Sequence, residues 1–335
     1  MRWSKRLVAV SLLLALCVVM LGAYVRLSDA GLGCPDWPGC YGQLTVPDQP
    51  HELQAAAEAH PGKPVDAPKA WKEMLHRYIA SLLGLLIVAN LLVSYRQRQR
   101  LPHSLRLPLL LLCAVVLQGL LGMWTVTLLL KPAIVTAHLL GGMSILALLG
   151  LLALRLFAPA GRQMLPLRRD LRLPALLALL LVLLQIALGG WVSSNYAALA
   201  CPDFPTCRAS WLPSMQFGDA FHVYRELGMT ANGLLLSQEN LVAIHFSHRV
   251  GALLVTLLVG GLAWLLLRDA AARRYGMLLM AALAVQLALG IANVLLQLPL
   301  PLAVAHNGGA AILLLSLVLV NYRVWKGRQH PWQTV

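Results

Sequence analysis

The sequence predicts an all-α polytopic membrane protein, with eight transmembrane helices arranged as two parallel-repeat four-helix bundles. Three observations carry this. Of 335 residues, 59% are apolar and only 12% charged, against roughly 25% charged in a soluble domain. Several apolar runs reach about the 20 residues that cross ~30 Å of hydrocarbon. A cysteine-containing motif also occurs twice, 167 residues apart.

The apolar runs lie at 7–25, 75–95, 107–130, 134–154, 174–192, 241–267, 275–298 and 301–322. They are read as helices because every peptide group in lipid needs a partner within its own segment or barrel. Most are Leu/Ala/Val-rich with no alternation of polar residues, which argues against a β-barrel. The last boundary is the least defined, because Pro299 and Pro301 sit in a very tight turn. Met1–Ala23 has the basic start of a signal peptide in Arg2, Lys5 and Arg6. Its continuation returns after a mid-chain helix, so the segment is read as a retained helix.

Charge sets the orientation. With the N-terminus inside, the inner segments hold 18 of the 27 basic residues and two of the 13 acids, a net +16; the outer segments carry −2. Every loop then obeys the positive-inside rule, and both termini are cytoplasmic, as in a multi-pass protein of the bacterial inner membrane. The pI of about 10.0 is therefore read as a signal of topology in a lipid bilayer, with no nucleic-acid partner.

An internal repeat organises the chain. Residues 20–40 end in Cys34-Pro-Asp-Trp-Pro-Gly-Cys40, and the stretch after the fifth run ends in Cys201-Pro-Asp-Phe-Pro-Thr-Cys207. Gln118 to Gly122 is echoed by Gln286 to Gly290, and His138 by His306, each 168 residues on; His76-Arg77 is echoed by His248-Arg249 after 172. Two four-helix halves follow, 1–158 and 168–335. Four is even, so both enter from the same side and the repeat is parallel. The long connections 26–74 and 193–240 fall outside; residues 45–70, rich in Pro, Ala and charge, look like a flexible insert.

Ten histidines are present. His51, His60, His103, His222 and His330 fall in loops or tails and read as solvated, whereas His76, His138, His245, His248 and His306 open the second, fourth, sixth and eighth runs. His76 stands 20 residues before Arg96, as His248 does before Arg268; His138 stands 17 before Arg155, as His306 does before Arg323. At 1.5 Å per residue these four lie ~25–30 Å above the inner basic boundary. His76 can pair with His138, and His248 with His306. Two facing imidazoles suit the axial positions of haem iron, and Gly141, Gly142, Gly308 and Gly309 would let a macrocycle or a helix come close. Polar links between helices, a metal-only centre and proton transport are the competing readings.

The halves differ at one point. Glu73 stands three residues before His76, and His245 three before His248. A carboxylate beside a haem can handle protons; an acid in the first turn can equally satisfy the helix dipole. The asymmetry suggests one catalytic and one electron-transfer or structural haem site. Arg77 and Arg249 could meet haem propionates or snorkel to the interface. Cys17 and Cys113 read as apolar fillers. Cys34–Cys40 and Cys201–Cys207 lie on the outer side, where disulfides persist; structural and redox-active roles both remain open.

These motifs together resemble the haem A synthases of the COX15/CtaA family. The resemblance rests on Glu73-Met-Leu-His76-Arg77, on His138 and His306 with their following Gly-Gly, on His248-Arg249, on Gly22 to Cys34 and on the two cysteine loops. It spans the chain apart from 45–70 and the termini. It implies an oxidoreductase that converts the C8 methyl of haem O to the formyl of haem A by successive hydroxylations, for terminal oxidases. The first half would hold substrate haem O between His76 and His138 with Glu73 catalytic, and the second would hold cofactor haem b between His248 and His306. Haem O synthase and an electron donor are the implied partners. A di-haem electron-transfer protein and a haem carrier for oxidase assembly are the alternatives.

Overall fold

The structure is a computed structural model that describes residues 2–99, 105–157 and 169–326. The boundary between the two halves at 158–168, inner Arg100, Arg162, Arg168 and Arg328, and His103 and His330 lie outside the described residues. Nine helices are described: α1 Arg2–Leu27, α2 Pro50–Ala59, α3 Ala67–Arg96, α4 Arg106–Thr127, α5 Pro132–Phe157, α6 Arg172–Ser194, α7 Gln238–Leu267, α8 Arg273–Leu295 and α9 Leu300–Lys326. All except α2 are long and apolar enough to span a bilayer, and the chain crosses the membrane eight times.

Two of the spanning helices begin where the sequence supplies caps. Asp66 accepts the N–H of Lys69 at the start of α3, with a proline in the first turn. Ser237 and Asn240 form a reciprocal capping box at α7. Residues 45–70 differ from the expected flexible insert, for they contain α2. Glu52 accepts the N–H groups of Asp48 and Gln49 at its start, and Ala56 packs with Cys34, Cys40, Tyr41 and Met74. Capping and burial order this stretch despite its composition.

Around the first four spanning helices, α1 touches α3, α3 touches α4, α4 touches α5 and α5 returns to α1. The last four follow the same cycle, α6 to α7, α8, α9 and back to α6; α1 and α5 meet α9, and α5 meets α6. Tight packing uses small residues, as expected where lipid offers no hydrophobic drive between helices. A Cβ on Gly150 of α5 would lie 2.7 Å from Leu315 of α9. Buried amides add polar links: Asn90 donates to the Ser11 hydroxyl at 2.8 Å, and Asn321 to the Ala175 carbonyl at 2.8 Å.

Equivalent backbone turns recur along the chain. Leu129 and Leu130 turn left-handed between α4 and α5, as Gln297 and Leu298 do between α8 and α9. In each turn the second residue's N–H reaches five residues back, Leu130 to Thr125 at 2.8 Å and Leu298 to Asn293 at 2.7 Å. This separates α8 from α9 at the boundary the prolines left undefined.

Candidate functional site

Near their N-terminal ends α3, α5, α7 and α9 carry His76, His138, His248 and His306, each half-buried. Each imidazole rests against a glycine of the preceding spanning helix. A Cβ on Gly22 would lie 3.0 Å from His76 Cε1, on Gly122 3.2 Å from His138 Cε1, on Gly189 3.2 Å from His248 Cε1 and on Gly290 3.1 Å from His306 Cε1. Four rings thus share one local packing solution, which a side chain on the glycine would disturb. Nδ1 of His76, His138 and His306 is sealed and without a hydrogen-bond partner.

The Gly-Gly pairs behave differently from an open cradle. A Cβ on Gly141 would collide with Gln118, and one on Gly309 with Gln286, while Gly308 faces Met20 of α1. These glycines admit neighbouring side chains, the close helix approach that was one of the two uses expected for them.

Above the histidines, two disulfide loops cover the helix starts. Cys34 is bonded to Cys40 and Cys201 to Cys207. Inside each ring an aspartate organises the turn. Asp36 accepts the N–H groups of Tyr41 at 2.6 Å and Gly42 at 2.7 Å; Asp203 accepts those of Arg208 at 2.5 Å and Ala209 at 2.9 Å. The Thr206 hydroxyl, then these N–H groups, hold the Asp203 carboxyl down at about 2.

Arg77 and Arg249 bind these loops. Arg77 donates to the carbonyls of Pro38 and Gly39, and Arg249 to those of Cys201 (2.9 Å), Asp203 (2.8 Å) and Thr206 (2.7 Å). Sequence reasoning considered propionates and solvent for these guanidinium groups; their partners are loop carbonyls some 38 to 48 residues away.

One turn earlier the halves diverge. Glu73, only 4% exposed, accepts the Cys34 N–H at 3.0 Å and pairs with Arg77 at 2.5 Å. A buried carboxylate needs such compensation. His245, 5% exposed, places Nδ1 3.1 Å from the Ala197 carbonyl. Both residues tie a helix start to the connection that precedes it, but Glu73 accepts where His245 can donate. A clasp between α1 and the connection after α6 escaped sequence reasoning. Arg26 donates to the Ser193 carbonyl at 2.8 Å and the Tyr196 hydroxyl at 3.0 Å, and that hydroxyl donates to Asp29 at 2.9 Å.

Among the described residues, no three of His, Cys, Asp and Glu gather as a metal site. Haem iron needs only two protein ligands, and four imidazoles near the starts of four different helices would supply two such pairs.

Fold and site together define a polytopic helical membrane protein with repeated, glycine-seated histidines beside disulfide-closed loops. The family described as cytochrome oxidase assembly protein, COX15-CtaA, matches residues 5–318, and the chain belongs to it. It is 43% identical over 319 residues to a protein of Shewanella oneidensis named heme A synthase, covering 95% of this chain and 96% of that one. It is 30% identical over 334 residues to the heme A synthase of Granulibacter bethesdensis, covering 93% and 84%, and 29% identical over 338 residues to that of Nitrosospira multiformis, covering 93% and 90%.

Proposed function

We propose that this protein is a haem A synthase of the bacterial inner membrane, an oxidoreductase that converts the C8 methyl group of haem O to the formyl group of haem A for terminal oxidases. The observation that carries the proposal is the pairing of like with unlike. Four histidines are seated alike on glycines, yet only His76 has a buried carboxylate one turn away. The names of the relatives support the same reaction.

In this reading the chain is two four-helix halves, 1–158 and 168–335, with both termini cytoplasmic. The cyclic helix contacts support it, because they put α3 across from α5 and α7 across from α9. His76 and His138 hold the iron of substrate haem O, and His248 and His306 that of cofactor haem b. Bound haem b supplies one-electron chemistry. Glu73 is the catalytic carboxylate and takes or returns a proton beside the substrate, held in place by Arg77 and the Cys34 N–H. Arg77 and Arg249 chiefly anchor the outer loops; propionate contacts would draw on guanidinium groups already engaged there, with Arg249 Nε still unpartnered. Haem O synthase is the source of substrate; an external oxidant takes the electrons that leave the methyl group, and a separate donor supplies those needed to activate it.

The test is product formation. Membranes containing the protein and supplied with haem O should accumulate hydroxylated and then formyl haem, identified by mass after extraction. Bound haem O with no new haem species would overturn the proposal.

A further inference from the structure

The four glycine seats differ in how they are closed. At three of them a glutamine stands four residues before the seat glycine, and a second glycine stands three residues after the histidine. The glutamine amide occupies the space above that second glycine. A Cβ on Gly141, Gly251 or Gly309 would lie 2.1, 2.1 or 2.3 Å from the Oε1 of Gln118, Gln185 or Gln286. Only glycine leaves room for the amide there. From this position Gln118 Nε2 donates to the His138 carbonyl at 2.8 Å, and Gln185 Nε2 donates to the His248 carbonyl at 2.9 Å and lies 3.0 Å from its Nδ1. Gln286 Nε2 lies 3.3 Å from Nε2 of His306, as Gln185 Nε2 lies 3.5 Å from Nε2 of His248.

The fourth seat has neither part. Val18 stands four residues before Gly22, and Ile79 three after His76. Neither side chain can donate or accept a hydrogen bond. His76 therefore keeps its glycine seat without a glutamine to hold it.

We propose that Gln118, Gln185 and Gln286 are positioning residues that lock three haem ligands, and that Val18 and Ile79 make His76 the exchangeable ligand through which substrate haem enters and product haem leaves. This rests on the reading that each histidine pair holds a haem, and adds which ligand yields. The physical reason is simple. Partners around a metal ligand fix its orientation and strengthen the site. A cofactor haem must stay through every turnover, whereas a haem that is substrate must leave each time. Of four otherwise similar seats, the one without the amide belongs to the pair assigned to substrate.

The test follows haem release from the purified full chain to excess apomyoglobin, with haem O and haem b as probes. Wild type should release haem O faster than haem b. Gln185→Leu should speed release of haem b by about 10- to 100-fold, the usual cost of losing an outer partner, and shift the low-spin electron paramagnetic resonance signal of that haem alone. Val18→Gln with Ile79→Gly should slow release of haem O by a similar factor. Equal wild-type release rates, or a haem b rate unmoved by Gln185→Leu, would overturn the inference. The wild-type comparison decides even if a variant fails to fold. A chain that binds no haem at all would be recognised first by its haem content, and that result would overturn the functional reading together with this one.

Discussion

The N-terminal stretches of α3 and α7 follow the same plan with different chemistry. Each begins with a polar residue tied to the preceding connection, continues with a glycine-seated histidine and ends with an arginine bound to loop carbonyls. In α3 the polar residue is Glu73 and the histidine lacks a glutamine clasp; in α7 it is His245 and Gln185 is present. Two helix starts built alike therefore carry different polar chemistry, a carboxylate in one and an imidazole in the other. A handful of side chains carries the distinction, and the backbone of the two disulfide turns is shared.

The largest expected effect lies on the carboxylate. Glu73→Gln keeps the shape and an acceptor for the Cys34 N–H, so haem binding should persist while product formation falls by about 10²–10⁴-fold. Full activity in that variant would remove the catalytic distinction between the halves. Truncation should separate them by stability as well. Glu73→Ala leaves the half-buried Arg77 without its carboxylate and should cost about 3 kcal/mol. His245→Ala removes a single hydrogen bond worth about 1 kcal/mol. Thermal unfolding of the detergent-solubilised protein measures both, and equal losses would mean that Glu73 and His245 are interchangeable anchors.

A smaller, sharper contrast concerns the seats. Gly189→Ala puts a methyl 3.2 Å from the His248 ring, whereas Gly119→Ala meets nothing within 4 Å. The first should cost about 1 kcal/mol through overpacking and shift the haem absorption bands; the second should leave them unchanged. The smallest effect belongs to the second disulfide turn. The Asp203 carboxyl is held below its usual 3.8, so its contribution to the turn is complete above that value and is lost as pH falls through about 2. The protection factors of the Arg208 and Ala209 amides, measured against their intrinsic exchange rates, should stay constant at pH 4 and fall only near pH 2. In Asp203→Asn they should be lower throughout.

Much of this was legible in one dimension. Run length fixes the spans, and a count from each histidine to its basic boundary fixes depth, because a helix rises uniformly. The clasping glutamines were half visible. Gln118 and Gln286 stood out as a repeat, but a repeat does not say what the residue touches. The glycine seats and the Arg77 and Arg249 anchors depend on contacts between distant segments, which spacing does not encode. Helix α2 was missed because an Ala/Pro/charge mixture carries little apolar periodicity, and its order comes from capping and from packing on the first disulfide.

The central claim is that the two histidine pairs hold different haems. Haem extracted from His76→Ala and from His248→Ala, each purified from cells that make haem O, tests it most directly. His76→Ala should lose O- and A-type haem and keep haem b, and His248→Ala should lose haem b. Loss of the same haem from both variants would contradict it.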